Sequence, residues 1–359
     1  MKKIKVLYVT NIQSPYRVEF LNQLSELCDL RVLYERECSN NRNEKWASGE
    51  NSIYTKYFLN GVNIGNENSF SLRILKYIFQ ENDIVLFGCC NSIVEIFAMV
   101  MLKLMNRPFA LSLDGDLFIT SKGLKSLLKR IVIKLPKLIF CAGEQSAEEI
   151  SKFTTKRQNL IPYYFSSLTS KEILANSVDQ GCRDDYVLVI GQYYDYKGMD
   201  IAAKIATMLP NQSFKFIGTG KRTEEFIENC NLKKLKNVLV IPFLEKDKLF
   251  IEYKKCKCLL LPTRQECWGL VVNEASSFGT PIVSTYGSGA AKEFLFPEYE
   301  LLLANSNDAH DLKNALIKLD SIDAKKYSFD LIEKSKKYNI EKNVKIIYMG
   351  LYNFIDKEI

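Results

Sequence analysis

The sequence predicts an α/β protein made of two doubly wound parallel-sheet units in tandem, and three observations carry that prediction. Short apolar runs rich in Val, Ile, Leu, Phe and Tyr recur along the chain, the pattern of strands buried on both faces of a parallel sheet. Spacers of helix length separate them, as crossover connections require. The length of 359 residues suits about two domains. With 47% hydrophobic, 12% aromatic and 25% charged residues, the composition excludes disorder, collagen-like repeats and coiled coil as the main architecture.

Taken in order, strands are expected at 4–10, 30–34, 53–58, 84–87, 109–113 and 138–141. The polar stretch 166–185, containing SSLTSKE and DQGCRDD, reads as a linker. A second set of strands follows at 186–190, 213–217, 238–241, 258–261, 281–284 and 301–303. These runs define a first domain over 1–165 and a second over 186–330, with a helical segment at 331–359 expected to pack back on the first. No run approaches the roughly 18 to 20 apolar residues that cross a bilayer. The longest, 93–105, contains Glu95 and Lys103 and reads as a buried crossover helix.

The formal charge of +7 is unevenly placed. Residues 1–165 carry 22 Lys/Arg against 16 Asp/Glu, whereas 166–359 carry 27 against 26. Segment 122–137 alone holds Lys122, Lys125, Lys129, Arg130, Lys134 and Lys137 with no acid. On a helix these cations fill about half the circumference, and Leu124, Leu127, Leu128, Ile131, Val132 and Leu135 fill most of the rest. One reading is contact of Lys122, Lys125, Lys129, Arg130 and Lys134 with an anionic membrane surface. The other is a core-packed helix with a solvated cationic face. No helix-turn-helix, RRM or zinc-finger signature supports nucleic-acid binding.

The lone histidine, His310, leaves very little material for a Ser-His-Asp triad or a histidine-based zinc site. Ten cysteines, several inside apolar runs such as LFGCCN and LIFCAG, read as buried free thiols. Without a signal-peptide pattern at the N-terminus, they point to a reducing cytoplasm.

The most informative stretch is 257–294, KCLLLPTRQECWGLVVNEASSFGTPIVSTYGSGAAKEF. A buried strand meets Pro262, crosses a polar loop with Glu266, passes Gly269 and enters a helix that Gly279 and Pro281 terminate. In open α/β sheets ligands bind at the carboxyl ends of strands, and the amides of Trp268, Gly269, Leu270 and Val271 would offer partial positive charge to a phosphate. Glu274 lies one turn below Leu270, while Val271, Ala275 and Phe278 form the expected core stripe.

The string P-T-R-x-E-x-W-G-L-x-x-x-E-A-x-x-x-G-T-P-I-V resembles the donor site of retaining glycosyltransferases of family 4, which have the GT-B fold: two Rossmann-like doubly wound α/β domains facing a central cleft. Further upstream, VLVIGQYYDYKG at 187–198 is similar to the family's V-G-R-x-x-x-x-K-G element, with Gln192 where an Arg usually stands. Gly218 and Gly220 lie in a strand and Gly-x-Gly turn, and Phe243 lies in a loop that meets the base in relatives. At the N-terminus, SPYR at 14–17 is similar to a segment of bacterial capsule and O-antigen members.

The resemblance implies a nucleotide-sugar donor, most simply a UDP-sugar, and no metal cofactor. It assigns Gln192, Lys197, Gly218, Gly220, Phe243, Arg264, Glu266, Cys267, Trp268, Gly269, Leu270, Val271 and Glu274 to donor binding. Lys197 and the helix amides would neutralise the leaving diphosphate, Glu266 would hydrogen-bond the transferred sugar, and Glu274 would hold the ribose. Trp268 could equally be a core anchor. Tyr16 and Arg17 are candidates for acceptor binding, although Arg17 could instead pair locally with Glu19. Where many relatives carry a histidine, this chain has Asp114, the candidate general base. The expected acceptor is a lipid-linked oligosaccharide, and the expected location is the cytoplasmic face of the plasma membrane, bound peripherally. Two alternatives stay open: a metal-dependent GT-A transferase using Asp114-Gly115-Asp116, and a catalytically silent GT-B partner of another transferase.

Overall fold

The computed structural model describes residues 3–37, 51–64, 68–90, 92–115, 124–177, 182–218, 223–241 and 243–358. The chain divides into two compact units, one of Met1–Ser166 with Ile340–Ile359 and the other of Ser167–Asn339.

The first unit is built on strands β1 (Lys5–Thr10), β2 (Asp29–Tyr34), β3 (Thr55–Phe58), β6 (Ile84–Phe87), β7 (Phe109–Leu113), β8 (Leu138–Ala142) and β9 (Asn159–Tyr163), with a hairpin of β4 (Val62–Ile64) and β5 (Asn68–Phe70) beside them. The order β3-β2-β1-β6-β7-β8-β9 is parallel throughout. Successive strands step one way from β1 to β3 and the other way from β6 to β9, so the order reverses between β1 and β6. The near-continuous burial of β1, β6, β7 and β8 is why these runs read as apolar rather than alternating. Leu7, Val85, Phe87, Leu111 and Ile139 form one core with Val94, Ala98, Met99 and Leu102 of the helix Ile93–Leu104 and with Val132, next to Ile133, of the helix Leu124–Val132. Ser92 and Glu95 cap the former with a reciprocal pair of bonds, which explains the acid in that apolar run.

The helix Ile340–Glu358 completes this unit by packing against the helix Pro15–Leu27 and β9. It buries Val344, Ile347 and Leu351, and Gly350 lets it lie close to the sheet, since a Cβ there would sit 2.6 Å from Phe140 Cε1.

The second unit holds β10 (Tyr186–Ile190), β11 (Ser213–Ile217), β12 (Val238–Ile241), β13 (Cys258–Leu261), β14 (Ile282–Thr285) and β15 (Leu303–Ala304) in the parallel order β12-β11-β10-β13-β14-β15. The reversal here falls between β10 and β13. The Tyr327 hydroxyl in the helix Ala324–Ser335 donates to the Ile282 carbonyl and accepts from its amide, pinning that helix to β14.

Several local expectations change. The stretch 166–185 contains the helix Ser170–Ser177, which belongs to the second unit; Thr169 and Glu172 cap it reciprocally and Asn176 donates to Ser277 Oγ at 2.9 Å. A capping box in a polar sequence is easily mistaken for a linker. The crossover helix Ile93–Leu104 is buried on one side only, because Ile93, Val100 and Leu104 face solvent. No disulfide joins the described cysteines. Burial pushes the thiols of Cys28, Cys90 and Cys256 up to about 12, and that of Cys258 higher still.

Candidate functional site

In the second unit, the carboxyl ends of β10 and β13 lie side by side at the point where strand order reverses, the edge at which open α/β sheets bind ligands. After β10 the chain passes Gly191 and makes a tight turn over Asp195–Lys197, ending in Gly198 at φ 66°. A Cβ on Gly198 would come within 1.9 Å of the Pro262 carbonyl oxygen, so only glycine lets this turn lie against the end of β13. From the opposing loop, Thr263 Oγ1 and the amides of Arg264 and Gln265 all donate to the Tyr196 carbonyl, at 3.0, 2.8 and 3.2 Å.

The two loops bring Lys197 and Glu266 together as an ion pair through Nζ and Oε1. The Glu266 backbone is fixed by its amide bond to the Gly287 carbonyl at 2.8 Å. Its other carboxylate oxygen, Oε2, is buried and receives no hydrogen bond from the described residues. Gly269, at φ 106°, lies beside this carboxylate and caps the helix Leu270–Ser277. The Val272 amide donates to the Gly269 carbonyl at 2.9 Å, and the Leu270 and Val271 amides ahead of it open at the same place.

Glu274 is half-buried on this helix and accepts from the Tyr253 hydroxyl at 2.9 Å and from Ser167 Oγ at 3.1 Å. Burial pushes its pKa up, and the two hydroxyls only partly offset that. Gly218 stands where a Cβ would meet the Gly191 carbonyl oxygen at 1.7 Å, so its role in bringing the ends of β10 and β11 together is steric. Gln192 is half-buried and Phe243 is exposed, while Gly220 lies outside the described residues.

Some expected donor residues have other partners. Arg264 makes a two-pronged pair with Asp200, both bonds 2.7 Å, and also donates to Asn307 Oδ1 and the Asp195 carbonyl. Its guanidinium therefore clamps the 195–200 turn. Trp268 is a core anchor: it is buried, donates from Nε1 to Asn273 Oδ1 at 2.7 Å and stacks on Tyr338. Cys267 is half-buried, as are Leu270 and Val271, so Val272 rather than Val271 joins Ala275 and Phe278 in the core.

The first unit has its own charged cluster at the β1/β6 reversal. Arg17 does not pair with Glu19; its buried guanidinium donates to the Tyr8 hydroxyl at 2.6 Å and to Asp114 Oδ2 at 2.9 Å. The Tyr163 hydroxyl donates to Asp114 Oδ1 at 3.1 Å. Both oxygens of the expected base are thus engaged. Burial drives the Tyr8 and Tyr163 hydroxyls far above their ordinary value, so they remain protonated donors and acceptors. A small cavity of about 20 Å³ beside the cluster is walled by Tyr16, Phe20, Phe165 and Ile347. Asp116 lies outside the described residues, as do Lys122 and the side chain of Lys125. Lys134 is exposed, Lys129 is half-buried, and Arg130 lies over the Phe153 ring at 4.4 Å.

Tyr8, Tyr163, Tyr253, Ser167 and Asp200 support these clusters and were not singled out by the sequence. Their partners lie 9 to 107 positions away, and no local pattern marks them.

The profile of the family described as glycosyl transferases group 1 matches residues 171–338. An uncharacterized glycosyltransferase of Methanocaldococcus jannaschii is 30% identical over 265 residues, covering 72% of this chain and 68% of that protein. Among solved structures, Anabaena HepE in complex with UDP and glucose superposes with a TM-score of 0.70 at 14% identity, covering 98% of this chain and 100% of that one. The lipopolysaccharide outer core galactosyltransferase WaaB gives 0.65 at 12% identity, covering 98% and 100%. These likenesses and the two parallel sheets identify the fold as GT-B, which sets aside the GT-A alternative. With the level of identity to the Methanocaldococcus protein carried across two thirds of both chains, the chain belongs to the group 1 glycosyltransferases.

Proposed function

We propose that the protein transfers a sugar, with retention of anomeric configuration and without a metal, from a nucleotide-sugar donor to a lipid-linked saccharide acceptor in surface-polysaccharide assembly. The observation that carries this reading is the Lys197–Glu266 pair, with one buried carboxylate oxygen of Glu266 still lacking a donor beside a helix N-terminus. A buried carboxylate oxygen calls for a hydrogen-bond donor, and a sugar hydroxyl supplies one. The UDP and glucose bound by HepE make a UDP-sugar the first donor to test. The role of WaaB in lipopolysaccharide outer core supports the acceptor class.

In the reaction, the bond from the anomeric carbon to the diphosphate breaks as the acceptor oxygen bonds to that carbon, and the acceptor proton passes to the departing diphosphate oxygen. Lys197 and the amides of Leu270 and Val271 stabilise the charge that develops on the diphosphate. Glu266 holds the sugar through its hydroxyls, and Glu274 accepts from the ribose. Since Arg17 and Tyr163 occupy both oxygens of Asp114, we assign Asp114 to orienting Arg17 on the acceptor side rather than to proton removal.

The test is nucleoside diphosphate release from UDP-, GDP-, ADP- and dTDP-sugars, with and without EDTA. One donor is expected to be hydrolysed slowly in either condition, and Glu266→Ala and Lys197→Ala are each expected to lower turnover at least tenfold with unchanged circular dichroism. Release from none of the donors would favour a silent partner, and loss in EDTA with recovery in manganese would remove the metal-independent mechanism. An inverted anomer in the product would remove retention.

A further inference from the structure

The helices Ile93–Leu104 and Leu124–Val132 connect β6 to β7 and β7 to β8, two crossovers stepping in the same direction. Right-handed connections place both on one face of the sheet. Their inward residues share one core, with Val94, Ala98, Met99 and Leu102 from the first and Val132 from the second. The outward residues are the unexpected part. On the first helix the solvent-facing positions are Ile93, Val100, Lys103 and Leu104, with Leu104 75% exposed. On the second they include Leu127, Leu128 and Ile131, each more than half exposed. Half of the apolar side expected for the cationic helix, Leu127, Leu128 and Ile131, therefore faces solvent, while Val132 and Leu135 pack on the core.

Two neighbouring helices with apolar outer positions form a surface of the kind that marks an interaction site. The charges around it select the partner. Lys103, Lys129, Arg130 and Lys134 accompany these positions, and residues 122–137 contain no acid. Apolar side chains at the boundary with cations beside them match a bilayer interface carrying anionic headgroups. No described helix is long and apolar enough to cross a membrane, so the fit is to a surface and not to a span.

We propose that the outer face of the helices Ile93–Leu104 and Leu124–Val132 docks the protein on an anionic lipid bilayer, with Leu104, Leu127, Leu128 and Ile131 entering the interface. This inference rests on the two helices alone and is independent of the donor-site reading.

The experiment is flotation of the full chain with vesicles of phosphatidylcholine containing 30% phosphatidylglycerol, against vesicles of phosphatidylcholine alone. The full chain is expected to float at least tenfold more with the anionic vesicles. Leu127→Gln/Ile131→Gln and, separately, Val100→Gln/Leu104→Gln are expected to cut binding at least fivefold, as is Lys103→Glu/Lys134→Glu, with thermal unfolding unchanged because all these positions are exposed. Flotation that is absent, indifferent to lipid charge, or unaffected by either apolar double variant would overturn the proposal. So would a dimer in analytical ultracentrifugation that the apolar variants dissociate while vesicles fail to bind, since a second copy would then cover the face.

Discussion

Glu274 and Glu266 are both carboxylates within one turn-helix segment, yet their surroundings differ in kind. Glu274 is held between two hydroxyls and its pKa is raised by burial. The folded state therefore binds that proton more tightly than the unfolded chain, where the value is about 4.3. The associated stability is full below the unfolded value and is lost as pH rises through the folded one. Glu274→Gln removes this loss, and the variant is expected to melt above the parent at pH 8, with the gap closing toward pH 4, while binding the donor nucleotide more weakly. Parallel melting curves across that range would show that the charge carries no such cost. At this scale the sequence was legible only in part. The string around Glu266 identified the residues that meet, but Arg264 and Trp268 look like site residues in one dimension. Their roles were decided by Asp200 and Tyr338, 64 and 70 positions away.

Among elements, the decisive one is the turn over Asp195–Lys197, because it carries Lys197 to Glu266. Gly198 both adopts positive φ and clears the Pro262 carbonyl, so Gly198→Ala is expected to cost about 2 kcal/mol or more in urea unfolding. Displacing the turn should also lower turnover at least tenfold, since small misplacement of a charged group is amplified in rate. Near-normal turnover in a folded variant would place the catalytic charge elsewhere. Most strands were legible because parallel strands buried on both faces are continuous apolar runs. β9 was not, since Pro162 sits within an edge strand that needs no donor on its outer side. The hairpin of β4, which is exposed, and β5, which is not, has strands of only three residues and so no pattern long enough to read.

At the scale of the molecule, the end of the chain belongs to the unit formed by its beginning. Removing 340–359 strips Val344, Ile347 and Leu351 from that unit. At roughly 1.5–3 kcal/mol per buried side chain, its thermal transition should fall on the order of 10 °C or more, leaving a separate transition for the second unit in calorimetry. A single unchanged transition would contradict this. Two domains were expected from length and strand repetition, and the final segment was expected on the first from residue 331, whereas the helix Ala324–Ser335 stays with the second unit and only 340–359 lies in the first, because an amphipathic pattern does not mark where one packing surface gives way to another. Each sheet also holds an ion pair at its reversal, Arg17–Asp114 in one and Lys197–Glu266 in the other. The buried thiols add an experimental handle. Cys28 and Cys90 lie in the first unit and Cys256 and Cys258 in the second. A thiol that is both shielded and protonated reacts with an alkylating reagent only when its surroundings open. Timed labelling of these sites, followed by peptide mapping, would thus clock the breathing of each half of the protein separately, with no probe added to either.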